Sequence, residues 1–132
     1  MTRVAKNNLA LVTYLARDYD EAIDWFRNAL KFELLEDSDH GGGKRWIRMA
    51  PSDDAKTAFL IAKAVGDQTG KIGHAAGGRV AYILTTSDFD AMHTHMTAQG
   101  VMFEESPRHE AYGTVAVFRD LYGNRWDLLQ PT

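Results

Sequence analysis

Three polar or aromatic side chains alternate along one short segment and could bind a planar or acidic ligand. Lys44, Trp46 and Arg48 are spaced two residues apart, so on a β-strand they share one face. Ile47 and Met49 fall on the opposite face, which should pack against helices. An indole ring beside two cations suits an aromatic or anionic molecule held in a cavity. The alternative is a half-exposed strand whose polar residues face solvent.

The histidines in the second half of the chain offer acid–base or metal chemistry. His109 and Tyr112 stand in a loop-like segment, where binding residues are common, and a histidine titrates near neutral pH. A surface histidine without a role fits the same pattern. His93 and His95 look like a metal pair, but residues two apart on a helix point to nearly opposite sides. A partly buried structural role is therefore favoured for His93.

The composition excludes several kinds of chemistry. The 132 residues include no cysteine, which rules out disulfides, thiolate zinc sites, iron–sulfur clusters and cysteine nucleophiles. The net charge is −3 and the isoelectric point is about 5.9, so neither nucleic acid nor an anionic membrane is an expected partner. No apolar run approaches the roughly 20 residues of a membrane span, and the first residues lack the apolar core of a signal peptide. A cytoplasmic protein is predicted.

An internal repeat predicts the elements that position these residues. A strand-like segment at 9–16 is followed by Asp18 and an amphipathic stripe, which is typical of a capped helix. A second strand-like segment at 80–84 is followed in the same way by Asp88. The two aspartates are 70 residues apart. Self-similarity of this kind indicates two copies of one supersecondary unit.

Each predicted helix is followed by three strand candidates, which makes each half a β-α-β-β-β unit. They lie at 32–36, 44–49 and 57–63 in the first half and at 101–104, 114–119 and 125–129 in the second. Neither half could cover its small sheet alone, so the two should fold together. The prediction is an α+β fold in a single domain of residues 1–132. Module one spans about 9–64, the connecting loop 65–78 and module two about 79–131.

Three segments carry a resemblance to a known family: the opening at 17–26, the segment from Gly43 to Pro51, and the ending at 117–128. They resemble the vicinal-oxygen-chelate superfamily, which includes glyoxalase I, extradiol dioxygenases, fosfomycin-resistance enzymes and bleomycin-binding proteins. In the ending a strand, an aspartate, a glycine-centred turn and an acidic strand follow one another. The likeness implies two βαβββ modules forming a partly closed mixed β-barrel around one pocket, with the helices outside. It also implies a homodimer, as in most members.

The resemblance implies where a metal would bind. Enzymes of this family place ligands in the first and last strands of each module, and the matching positions here are Leu11, Leu60 or Ile61, Arg79 and Asp127. Only Asp127 is a ligand type, whereas metals of this kind need several oxygen or imidazole donors. No cofactor is therefore predicted. A divalent metal is the alternative, with His74 or His109 brought in by loops or by a neighbouring subunit.

The leading hypothesis is a family member with a degenerate metal site that binds a small, partly aromatic or anionic molecule between the modules. This resembles the drug-sequestering branch of the family. If the modules close as the family's do, Asp127 and Arg79 point into the shared pocket and pair there. The predicted ligand-binding residues are Trp46, Arg48, Arg79, Tyr112, Phe118 and Asp127. No catalytic residue is assigned, and whether the chain is an enzyme stays open.

Two other functions compete with this hypothesis. One is a metal-dependent lyase, isomerase or dioxygenase of the glyoxalase type, which would polarise a carbonyl or enediolate oxygen with its metal. The other is a non-catalytic dimeric interaction protein.

One segment departs from close relatives. Residues 71–76 intervene before the second module, where those relatives run nearly straight on. This extra loop is expected near the pocket mouth or the dimer seam.

Overall fold

The computed structural model describes residues 3–132 and confirms an α+β fold built from two βαβββ modules. Module one contains β1 (Leu11–Ala16), α1 (Tyr19–Leu30), β2 (Glu33–Asp39), β3 (Arg45–Ala50) and β4 (Ala58–Lys63). Module two contains β5 (Val80–Thr85), α2 (Phe89–Ala98), β6 (Met102–Phe103), β7 (Arg108–Glu110), β8 (Gly113–Arg119) and β9 (Arg125–Pro131). The predicted limits of 1–132 include Met1 and Thr2, which lie outside the described residues.

Each module forms one open sheet. The strand order is β1-β4-β3-β2 in module one and β5-β9-β8-β6 in module two, where β7 also pairs with β8. In both sheets the first strand runs parallel to the last, and the other pairs are antiparallel. Within residues 3–132 no ladder joins the two sheets, so they remain unclosed. The connection predicted as a loop contains a short 3-10 helix at Gly66–Lys71.

The two helices begin in the same way but bury different amounts of surface. The carboxylate of Asp18 accepts a hydrogen bond from the backbone N–H of Glu21 at 2.9 Å, and Asp88 caps α2 likewise. The side chain of Glu21 accepts hydrogen bonds from Arg17 at 2.9 and 2.7 Å. Helix α1 buries six residues along one face, whereas α2 buries only Phe89 and Met96. Neither described helix is long and apolar enough to cross a membrane.

The helix-facing sides of both sheets share one aromatic core. The ring centroids of Phe59 in β4 and Trp126 in β9 are 5.8 Å apart, and Phe26 of α1 lies 6.1 Å from Trp126. Nε2 of His95 lies 2.7 Å from the carbonyl oxygen of Asn28, which links α2 to α1. Side chains of the two modules therefore pack against each other in this core.

The opposite side of each sheet points away from this core, because successive side chains of a strand alternate between its faces. We call these sides outer face one, formed by Thr13, Trp46, Arg48 and Leu60, and outer face two, formed by Ile83, Val115, Val117 and Asp127. The strand registers place the members of each face side by side. Since both sheets turn their helix-facing sides to the same core, the two outer faces of one chain point away from each other.

A buried carboxylate ties the last hairpin of module two to module one. Asp120 accepts hydrogen bonds from the hydroxyl of Tyr14 at 2.8 Å, from Nε1 of Trp126 at 2.9 Å and from Nδ2 of Asn124 at 3.1 Å. Backbone N–H groups of the turn add two further bonds. Burial and then the neighbouring carboxylate raise the pKa of Tyr14 above its ordinary range, so its hydroxyl remains a donor.

Candidate functional site

Outer face one carries the aromatic and cationic pair that the sequence predicts. Trp46 and Arg48 are half-buried on this face, while Ile47 and Met49 are fully buried in the core. Nε of Arg48 donates a hydrogen bond to Oε1 of Glu36 at 2.9 Å, which lowers the pKa of that carboxyl group. The guanidinium is thus fixed beside the indole and keeps further N–H groups free to bind other acceptors.

A cavity opens beside Trp46 on this face. It has a volume of about 550 Å³, within the range of small-molecule sites. The indole forms one wall, Leu60 and Ala62 contribute an aliphatic surface, and Lys44 and Lys63 bring positive charge. The arrangement suits a flat apolar body with a negative or polar substituent.

Outer face two carries a charged cluster around Asp127. In β8 and β9 Asp127 lies opposite Val117, and Arg108 of β7 lies opposite Val115, so the carboxylate and the guanidinium share this face. Nε of Arg108 donates to Oε1 of Glu105 at 2.9 Å. Burial raises the pKa of Asp127 above its ordinary value, and the positive charge of Arg108 partly opposes that rise.

Glu105 and Arg108 were missed as site residues by the sequence analysis. Between β6 and β7 no strand residue pairs with the centre of β8, and Oε2 of Glu105 accepts from the backbone N–H of Val117 at 2.9 Å instead. The hydrogen bond with Arg108 lowers the pKa of Glu105. A single sequence carries no signal for a side chain that replaces a strand partner. Arg108 could have been found, because it flanks the loop that was singled out for His109.

The structure does not bring Arg79 to Asp127. Val80 pairs with Arg125, while Asp127 pairs with Ile83, four residues beyond Arg79 in β5. At about 3.3 Å per residue this separates the two by roughly 13 Å along the strand. Within residues 3–132 Arg79 forms no ion pair. It lines a different cavity, at the end of the sheet.

Phe118 is a core residue and not a wall of a ligand pocket, contrary to the sequence-based prediction. Its side chain is 0% exposed, and its ring is stacked on Trp126 with centroids 5.6 Å apart. The reason is its register, since Phe118 pairs with Trp126 on the helix-facing side of the sheet. Tyr112, by contrast, is 55% exposed at the turn between β7 and β8. Nδ1 of the exposed His109 lies 3.2 Å from Oγ1 of Thr114.

Two of the four positions that the resemblance matches to metal ligands carry aliphatic side chains in this chain. Leu11 and Leu60 are aliphatic and offer no lone pairs, and Ile61 is buried in the core. Across residues 3–132 no three histidine, aspartate or glutamate side chains converge on one point. The ring of His93 packs against Phe103 with centroids 4.2 Å apart, which agrees with a structural role for that histidine.

Comparison with known proteins identifies the family. Residues 8–128 match the model of the Glyoxalase/Bleomycin resistance protein/Dioxygenase superfamily. The chain belongs to this superfamily. Within it, the chain is similar to an uncharacterized protein of Shewanella frigidimarina, with 43% identity over 127 residues that cover 95% of this chain and 94% of that protein.

Two solved structures resemble the protein over nearly the whole of each chain. TnmS3, an antibiotic binding protein from Streptomyces sp. CB03234, has a TM-score of 0.80 at 26% identity, and the match covers 98% of this chain and 100% of TnmS3. UcmS2 has a TM-score of 0.79 at 26% identity, with 95% and 98% of the two chains covered. The superfamily fold thus spans nearly the whole molecule.

Proposed function

We propose that this superfamily member binds a small, partly aromatic or anionic molecule without a resident metal, at a site that two copies of the chain form together. The supporting observation is the direction of the two outer faces. Trp46 on outer face one and Asp127 on outer face two point away from a shared core, so one ligand cannot touch both within a chain. A second copy that places its outer face two over outer face one would bring them together.

Outer face one supplies the apolar part of such a site. Trp46 and Leu60 offer a flat surface on which an aromatic ring can stack, and the adjoining cavity has room for a small molecule. Arg48, held by Glu36, directs its guanidinium to an anionic or carbonyl group. The likeness to TnmS3, which is described as an antibiotic binding protein, supports a ligand of this kind.

Outer face two supplies the polar part. Asp127, Glu105 and Arg108 together present acceptors and donors within one small area. Ile83, which pairs with Asp127, is 61% exposed, and a large apolar side chain at a sheet edge favours burial against another protein surface. The proposed homodimer would cover this side chain.

Ligand titration tests the binding site. We expect isothermal titration calorimetry with bleomycin and with 1-anilinonaphthalene-8-sulfonate to detect saturable binding of at least one probe to the native chain. Trp46→Ala should weaken that binding by about 10- to 30-fold, because a stacked indole contributes about 1.5–2 kcal/mol. Trp25→Ala, which removes an indole from α1, is the matched control and should leave the affinity within about twofold. Equal losses in the two variants would contradict the proposal.

Mixing two defective chains tests whether the site is shared. Trp46→Ala and Asp127→Ala chains should each bind weakly as homodimers. When the two are co-refolded, a random mixture should regain native affinity in about a quarter of its sites, because each mixed dimer has one intact site. If the mixture is shown to contain mixed dimers and native affinity is still not recovered, the site lies within one chain.

Metal analysis tests the absence of a resident ion. Protein purified without chelator should contain no stoichiometric Fe, Ni, Zn or Mn. One metal ion per chain would overturn this part of the proposal and would favour a metal-dependent reaction of the glyoxalase type.

A further inference from the structure

A second cavity lies at the end of module two. Its volume is about 300 Å³, and it is enclosed by segment 73–79 on one side and by the turn between β8 and β9 on the other. Trp46, Arg48 and Asp127 do not line it. It is therefore a different place from the site of the proposed function, and inferences about it do not rest on that function.

The walls of this cavity are fixed by specific contacts. Gly73 has a φ of +82°, and a side chain there would collide with the carbonyl oxygen of Tyr122, so the close approach of loop and turn requires glycine. The backbone N–H of Ala75 donates to Oδ1 of Asn124 at 3.0 Å. At the other end of the segment, Nη1 of Arg125 donates to the carbonyl oxygen of Gly78 at 3.1 Å. The inserted loop is thus docked onto the turn.

The lining of this cavity is strongly cationic. Arg79, Arg119 and Arg125 all contribute to it, and no aspartate or glutamate does. The carboxylate that pairs with two of them is that of Glu104, whose Oε2 lies 2.8 Å from Nε of Arg125 and 3.6 Å from Nε of Arg119. Arg79 has no such partner among residues 3–132, so the guanidinium groups of the lining outnumber the carboxylates that pair with them.

A neighbouring lysine adds a further positive charge. His74 lines the same cavity, and Lys71 lines an adjoining cleft of about 380 Å³ that shares residues 73–75 and Asn124 with it. Clustered cations repel one another, and a bound anion relieves that repulsion. Arginine forks also match the oxygens of phosphate and carboxylate groups through paired N–H donors.

We propose that this cavity binds the phosphate group of a small phosphorylated molecule. A phosphate monoester carries close to two negative charges at neutral pH, which suits a lining with three guanidinium groups and no carboxylate. Its tetrahedral oxygens can accept from several arginines at once, whereas a carboxylate has one charge and two oxygens. The cavity is at the small end of ligand sites, and its continuity with the adjoining cleft leaves space for the organic part.

Substitution of charged residues tests this site. In calorimetric titrations of the full chain with phenyl phosphate at constant ionic strength, we expect saturable binding at one site per chain. Arg79→Gln should weaken binding at least tenfold, whereas Glu104→Gln, which removes the neutralising carboxylate, should tighten it about threefold or more. The controls change the same charges at exposed positions elsewhere, Arg27→Gln and Glu33→Gln, and should alter the affinity less than twofold. Equal changes of affinity in the test and control variants would show that the cavity attracts anions only as a solvated cationic surface does, and would overturn the proposal.

A substitution that leaves the charge unchanged tests the role of the docked loop. Gly73→Ala should displace the loop from the turn and weaken phenyl phosphate binding at least fivefold. Gly41→Ala strains a comparable backbone, at a φ of +81°, but meets no neighbouring atom and lies in another loop. It should lose stability in thermal unfolding through the backbone strain alone and leave phenyl phosphate binding unchanged. Equal affinity in the two glycine variants would exclude the docked loop from the site.

Benzoate tests the class of ligand. It presents the same ring with a carboxylate in place of the phosphate, and we expect it to bind at least tenfold more weakly than phenyl phosphate. Equal or tighter binding of benzoate would overturn the assignment to phosphate.

Discussion

The two modules have matching inward sides but different outward sides. Inward, the aromatic residues Phe59 and Trp126 occupy equivalent positions in the last strand of each module and pack on each other. Outward, the next residue is Leu60 in module one and Asp127 in module two. The repeated fold has therefore kept the side that forms the core and varied the side that faces solvent or a ligand.

Under the proposed function, this difference gives the two modules complementary parts of one binding site. Outer face one is aromatic and aliphatic around Trp46, and outer face two is ionic around Asp127, Glu105 and Arg108. Outer face one alone resembles an ordinary half-exposed sheet, whereas Val115 and Val117 of outer face two are buried. Placed opposite each other, the two outer faces would contact the apolar and the polar part of one ligand.

The largest expected effect separates inward from outward positions. Phe118→Ala and its module-one equivalent Met49→Ala remove fully buried side chains, and each should lower the free energy of unfolding by about 3–5 kcal/mol. Trp46→Ala, on an outer face, should lower it by less than about 1 kcal/mol. Urea unfolding followed by circular dichroism measures all three. A loss of about 3 kcal/mol or more in the free energy of unfolding of Trp46→Ala would show that inward and outward positions do not differ in this way.

The second prediction concerns the last hairpin turn of each module. Asp120→Ala should lower the free energy of unfolding by about 3 kcal/mol, because Tyr14, Asn124 and Trp126 would keep buried donors without an acceptor. The corresponding turn of module one is exposed, and Asp53→Ala there should change stability by less than about 0.5 kcal/mol. Similar values for the two turns would show that Asp120 does not connect the modules.

The third prediction concerns the carboxylate that replaces a strand partner on outer face two. Glu105→Ala removes the acceptor of the Val117 N–H and should destabilise the protein by about 1–2 kcal/mol. Glu104→Ala, one residue earlier, breaks only surface ion pairs and should cost less than about 1 kcal/mol. The Arg108 hydrogen bond lowers the folded-state pKa of Glu105, so its contribution is present above the ordinary value of 4.5 and is lost as the pH falls below it. A constant difference between Glu105→Ala and the native chain from pH 7 to pH 3 would contradict this account.

The smallest expected effect comes from the charge on Asp127. Its folded-state pKa is raised by burial above the ordinary value of 3.8, so the folded state binds the proton more tightly than the unfolded state. Stability from this group is therefore present at low pH and falls as the pH rises past that value. Asp127→Asn should gain thermal stability relative to the native chain between pH 3 and pH 7, by less than the roughly 4 °C that 1 kcal/mol represents. Asp24→Asn on α1 is the exposed control. An equal gain in thermal stability in this variant would show that the gain in Asp127→Asn does not come from the burial of Asp127.

The sequence predicted the elements well because their signals are local. The cap at Asp18 and the spacing of apolar residues fix where α1 begins and which side it buries. Strand β7 was missed, since Arg108–Glu110 contains no apolar alternation. The predicted positions of Phe118 and Arg79 differ from the observed ones because they depend on strand register, which is set by pairing between residues distant in sequence. The run Val115–Phe118 is apolar throughout, so its period cannot show that Phe118 points inward, and only the pairing of β5 with β9 separates Arg79 from Asp127.

The hydrogen bond between Tyr14 and Asp120 joins residues 106 positions apart, which has a consequence for how the chain folds. While the protein is being synthesised, module one emerges first. Phe26 and Phe59 cannot pack against Trp126 until module two has followed. Its aromatic surface stays uncovered until nearly the whole chain is made. Folding should therefore be slow for a chain of this length and should proceed in one cooperative step, despite the repeated architecture, because contacts of long sequence separation close last.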